Sequence, residues 1–143
     1  MTAAAFDPPT LETLGIRIGV PERPAQAAGA GPGPWPAGAP LFLDAVALLP
    51  AADERAIPQW MRAIFLACIS EANQARMVVR CFKDRVIAAG EIPMTKTDGA
   101  PALRASWRIH LQAEIGRELP AGRYYVQLSA RQFLSNVVLI EVA

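Results

Sequence analysis

Apolar and polar residues alternate along much of this chain, and the alternation predicts strands. Leu14-Gly15-Ile16-Arg17-Ile18-Gly19-Val20 sets Leu14, Ile16, Ile18 and Val20 on one face, with only Gly or Arg on the other. Two glycines make so short a strand too weak to stand alone, so it must pair with a larger sheet. Residues 41–49 place Leu41, Leu43, Ala45, Ala47 and Leu49 together, in a strand ended by Pro50. Residues 50–59 read as a polar loop with at most one helical turn. The clearest alternation covers residues 106–115, with Trp107, Ile109, Leu111, Ala113 and Ile115 inward and Arg108, His110, Gln112 and Glu114 outward. That is the pattern of an antiparallel sheet with one solvated face.

Residues 60–76 fit two periods. Met61, Ile64, Phe65, Cys68, Ile69 and Ala72 form a helical stripe, but the same stretch also reads as a strand over 62–70, a turn at 71–74 and a strand over 75–82. The β-branched and aromatic content of Met77-Val78-Val79-Arg80-Cys81-Phe82 favours the strand pair, followed by a Lys83-Asp84 turn and Val86-Ile87. Ile92-Pro93-Met94 belongs at a sheet edge, and residues 95–99 read as a turn.

Between residues 21 and 40 the chain is almost wholly Pro, Gly and Ala, with prolines at 21, 24, 32, 34, 36 and 40. Neither a helix nor a ladder survives that spacing. Residues 1–40 are therefore expected to form an extended arm, in which the 14–20 strand is joined by a 21–40 linker to a domain over 41–143. Trp35 interrupts the linker with a large apolar surface that must dock, either on its own domain or on another chain.

Composition narrows the function. The chain has 143 residues, 52% hydrophobic and 19% charged, with a formal net charge of +1. Such a balance supports one folded core and lacks the basic excess of a nucleic-acid binder. The N-terminal residues have no basic and apolar secretory pattern, and the strongest apolar run, residues 63–69, is far short of the roughly 20 needed to span a bilayer. No membrane span is expected, and the protein is placed in the cytoplasm or in a particle assembled there. Cys68 and Cys81 lack metal-site spacing and are expected to be reduced and buried.

Little in the sequence resembles reaction chemistry. His110 is the single histidine. Asp44, Asp84 and Glu114 are its possible carboxylate partners, but no nucleophile elbow accompanies any of them. Glu91 and Glu114 could meet as a carboxylate pair, although surface strand charges account for them. Asp98-Gly99 falls short of a calcium loop, and Gly29-Ala30-Gly31-Pro32-Gly33 lacks the Lys-Ser/Thr of a phosphate loop. No catalytic, cofactor or metal site is expected, and the chain reads as a non-enzyme.

The C-terminal segment Leu119-Pro120-Ala121-Gly122-Arg123-Tyr124-Tyr125-Val126-Gln127-Leu128, with a turn at 131–134 and a strand over 135–142, resembles the closing strands of immunoglobulin-like and fibronectin-type sandwiches. The resemblance implies that the Tyr124 hydroxyl ties back to upstream backbone, and that Val126 stands where a disulfide-bonded member carries cysteine. The fold it implies is mainly β, an antiparallel immunoglobulin-like sandwich behind the Pro/Gly/Ala-rich arm. With no reaction chemistry, the expected function is a structural or protein-interaction subunit of a multi-subunit assembly such as a phage-like particle, an injection apparatus or another cytoplasmic complex. Leu14, Ile16, Ile18, Val20 and Trp35 are its partner-contacting candidates. A chain starting at Pro40 is then expected to fold without the arm. The alternatives are a sugar- or small-ligand-binding module with Tyr125 and Trp60 as stacking residues, or a regulatory adaptor.

Overall fold

A computed structural model describes residues 12–20, 34–36, 38–83 and 91–143. They form two antiparallel sheets. In the first, β1 (Gly15–Gly19) pairs with β2 (Phe42–Pro50), β2 with β6 (Ala100–His110), and β6 with β5 (Met94–Thr97). In the second, β4 (Arg76–Arg80) pairs with β3 (Ile64–Ser70) and β3 with β7 (Gly122–Ala130). The remaining side of β7 carries β8 (Phe133–Leu134) and β9 (Val138–Val142), one after the other. Two short helices, α1 (Ile57–Arg62) and α2 (Leu111–Ile115), join strands.

One core lies between the sheets. Leu41, Leu43, Ala45, Ala47 and Leu49 all enter it, as their alternation predicted. They meet Ile64, Leu66 and Cys68 of β3 and Tyr124, Val126 and Leu128 of β7. The strand reading of residues 62–82 holds, with β3 starting at Ile64 because α1 occupies Ile57–Arg62, and with Pro58 in its first turn. The periodicity was ambiguous for a visible reason: both faces of β3 are apolar. Ile64, Leu66 and Cys68 point into the core, while Phe65, Ala67 and Ile69 point away from it. The continuation at Asp84, Val86 and Ile87, the glycine-rich stretch 29–33 and the linker over 21–33 lie outside the described residues.

Several segments differ from the sequence reading: Phe133–Leu134 of the expected turn form β8, the last strand begins only at Val138, and residues 57–59 of the expected loop begin α1. Residues 95–97 belong to strand β5, which hairpins through Asp98-Gly99 into β6, so that β6 begins at Ala100. Turn chemistry at Asp98-Gly99 was legible, but Thr95-Lys96-Thr97 is polar because β5 is an edge strand. At its other end β6 stops at His110, and the residues expected to continue it form α2. Leu111 is still buried and Ile115 still packs on the core, since the two are four apart and share a helix face; Ala113 is exposed instead of inward. Gly116 closes α2 in the left-handed conformation, at φ 78°, and its N–H donates to the Gln112 carbonyl (2.8 Å).

The larger correction concerns the N-terminal strand. β1 does not reach out as an arm; it pairs along its whole length with β2 of the same chain, Ile16 opposite Ala47 and Ile18 opposite Ala45. Ile16 and Ile18 are buried in the shared core, Val20 packs against it in part, and Leu14 is left exposed. Trp35 is also built in. It is only 7% exposed, bridges Val142 in parallel, donates its N–H to the Glu141 carbonyl (2.8 Å) and accepts from Ala143 N–H (2.8 Å). The physical reason is burial: three large apolar side chains find a core within their own chain. A boundary at residue 40 therefore does not divide the described residues into two units.

Candidate functional site

The expected corner is present. Tyr124 is buried at the start of β7 and its hydroxyl donates to the Pro120 carbonyl, four residues upstream, at 2.6 Å. Tyr125 points to the opposite face, where its hydroxyl donates to the Glu71 carboxylate at 2.6 Å. Burial raises the Tyr124 pKa, whereas the hydrogen bond to Glu71 raises that of Tyr125 by favouring its neutral form. Tyr124→Phe is expected to cost about 0.5–1.5 kcal/mol in a denaturant titration. Tyr125→Phe, at a solvated site, should cost under about 0.5 kcal/mol. Equal losses would mean that the exposed Tyr125–Glu71 bond contributes as much as the buried Tyr124–Pro120 bond.

The histidine-centred chemistry weighed from the sequence is not assembled among the described residues. His110 is exposed, its ring 5.0 Å from that of Phe42. The carboxylates considered for it are engaged elsewhere: Asp44 holds Arg108 through two hydrogen bonds (2.7 and 3.1 Å), and Glu114 pairs with Lys83 (3.3 Å). Asp84 lies outside the described residues. No group of three metal-ligating side chains occurs among the described residues. Cys68 and Cys81 are buried free thiols, and burial pushes their pKa values up to about 11 and about 12. Such thiols are protonated at neutral pH and are poor nucleophiles.

An open depression of about 480 Å³ lies at one end of the fold, beside His110, Gln112 and Arg117. Gln112 is committed to structure there, since its side-chain carbonyl accepts from Leu41 N–H (2.9 Å) and its amide donates to the Ala39 carbonyl (2.9 Å). Trp60 supplies no stacking platform for a sugar. It is buried, its Nε1 donates to the Pro50 carbonyl (2.7 Å), and the Arg131 guanidinium lies 4.3 Å from its ring centre.

The feature that the sequence reading missed is the outer face of the second sheet. Strand register builds it in three rows: Arg76, Ile69, Tyr125 and Leu139; then Val78, Ala67 and Gln127; then Arg80, Phe65, Ser129 and Leu134. Phe65, Val78, Leu134, Leu139 and Val137, which immediately precedes β9, account for five of the six large apolar side chains exposed among the described residues. Leu134 is 64% and Val78 53% exposed. Scattered exposed apolar residues are ordinary on a folded surface, whereas these gather on or beside one sheet face. The signal in the sequence is the run over residues 64–69, apolar on both faces of β3. No helix of the described residues is long and apolar enough to cross a membrane.

No protein-family model, no curated protein and no solved structure matches this chain.

Proposed function

We propose that this protein is a non-enzymatic structural or protein-interaction subunit of a larger assembly, and that it binds its partner through the outer face of the second sheet. The observation that carries this reading is the clustering of Phe65, Val78, Leu134, Val137 and Leu139 on that one face. Leaving so much apolar surface in water costs stability and solubility unless a partner covers it. The scaffold that presents the face is, on this reading, an immunoglobulin-like sandwich. In support, the sheet orders β1-β2-β6-β5 and β4-β3-β7-β9 follow the A-B-E-D and C′-C-F-G arrangement of such domains, and Tyr124 makes the corner bond in the connection into β7.

The test is affinity purification of the tagged full chain from its native cells, quantified by mass spectrometry against the double variant Phe65→Ser, Leu134→Ser. Both side chains are exposed, so the variant's melting temperature should stay within a few degrees of the parent's. Loss of the co-purifying protein with an unchanged melt is the expected result. An identical set of partners from both chains, or none from either, overturns the proposal.

A further inference from the structure

The four edges of the two sheets are not treated alike. An unpaired edge presents main-chain donors and acceptors to any passing strand, and native proteins close or guard such edges. The β1 edge is bonded at Ile18 by one side chain: Asn136 accepts from Ile18 N–H (2.8 Å) and donates to the Ile18 carbonyl (2.9 Å), as a neighbouring strand would. The C-terminal end of the β9 edge is covered by Trp35, bonded to Glu141 and Ala143. The edges of β4, β5 and β8 have no neighbouring strand among the described residues.

β4 is the longest of the three, five residues against four and two. Ser70 N–H donates to the Ala75 carbonyl and Cys81 N–H to the Ile64 carbonyl, so residues 75, 77, 79 and 81 direct their main-chain groups toward β3. By the alternation of an antiparallel ladder, Arg76, Val78 and Arg80 direct theirs outward. The side chains of the same three residues stand on the apolar outer face, and neither Arg76 nor Arg80 forms an ion pair with a described residue. Met77 and Val79, between them, pack partly against the core from the other face.

We infer that the β4 edge accepts an extended segment of a partner protein carrying carboxylates four residues apart around three apolar residues, in the order acidic, apolar, apolar, apolar, acidic. The inference rests on the interaction reading above and gives the partner its chemistry. Added antiparallel, the segment exchanges main-chain bonds with Arg76, Val78 and Arg80, and its two carboxylates stand opposite the two guanidinium groups. Its central residue meets Val78, and the flanking apolar residues extend the layer of Met77 and Val79. A second copy of β4 is a poor occupant: centred on Val78, it would set Arg76 against Arg80 twice, and like charges directly opposite destabilise a pair.

The probe is a capped peptide of sequence Gly-Ser-Glu-Ile-Val-Ile-Glu-Ser-Gly, titrated into the full chain while amide hydrogen exchange is followed. Saturation should slow exchange at Arg76, Val78 and Arg80 by about tenfold or more. N-methylation of the central peptide residue should abolish binding. The surface variant Arg76→Glu, Arg80→Glu should weaken the Glu peptide about tenfold or more and bind the Lys-for-Glu peptide instead. Equal binding of Glu and Lys peptides, or absence of protection at those three amides, overturns the inference. If the Phe65→Ser, Leu134→Ser variant loses its partner while the Arg76→Glu, Arg80→Glu variant keeps it, the edge inference fails and the interaction reading stands.

Discussion

A chain beginning at Pro40 is expected to lose its cooperative fold. Truncation removes Ile16 and Ile18 from the core and Trp35 from the β9 edge, and each of these is less than 10% exposed in the full chain. At about 1.5–3 kcal/mol per buried large apolar side chain, the loss is on the order of 5 kcal/mol or more. Total stability of a domain this size is about 5–15 kcal/mol, so little or none would remain. The truncation also leaves the second side of β2 unpaired and strands the Asn136 side chain that had bonded Ile18. Far-UV circular dichroism and a thermal melt of the truncated and full chains decide the matter. A cooperative melt near that of the full chain would mean that β1 is dispensable, as an arm would be. Ile18→Ala in the full chain is the milder form of the same test and should cost about 2–5 kcal/mol.

Trp60→Ala should be the most damaging single substitution. Trp60 lies on α1, where it seals the end of the core: its ring is 6.0 Å from Phe133, the Arg131 guanidinium covers it, and Nε1 holds the Pro50 carbonyl at the end of β2. Removal leaves a cavity and an unpaired carbonyl together, at about 3–5 kcal/mol. Trp60→Phe keeps most of the packing and loses the hydrogen bond, and should cost about 1–2 kcal/mol. Urea titrations of both variants provide the measurement. A loss below about 1 kcal/mol for the alanine variant would remove Trp60 from the core.

A neighbouring chain or its own sandwich were the two targets open to the N-terminal strand, and it pairs with β2 of its own chain. The alternation of Leu14, Ile16, Ile18 and Val20 correctly indicated a strand with one apolar face. What it could not indicate was which edge the face would meet, because strand pairing is a contact across some thirty residues and leaves no local mark. The same limit applies to Trp35. Its need for burial was legible, while its position along β9 depends on where the last strand of the chain runs.

The outer sheet face shows the limit from another side. Phe65, Val78, Leu134, Val137 and Leu139 come from separate parts of the sequence, and each alone is an unremarkable exposed apolar residue. Only the register of β4, β3, β7, β8 and β9 puts Phe65, Val78, Leu134 and Leu139 on one face, Phe65 and Leu134 in the same row.

What the sequence determined by itself is therefore what a strand expresses along its own length: the β class, the inward face of β2, the break at Pro50 and the turn at Asp98-Gly99, the Tyr124 bond having been implied only by the family resemblance. Each follows from the two-residue repeat of side chains or from the dihedral preferences of Pro and Gly. Tertiary structure alone decided the pairing of β1 with β2, the docking of Trp35, the end of β6 at His110 and the assembly of the exposed apolar face. Those outcomes depend on which distant surfaces gain most by leaving water together, and burial is a property of pairs of segments that neither segment carries in its own pattern.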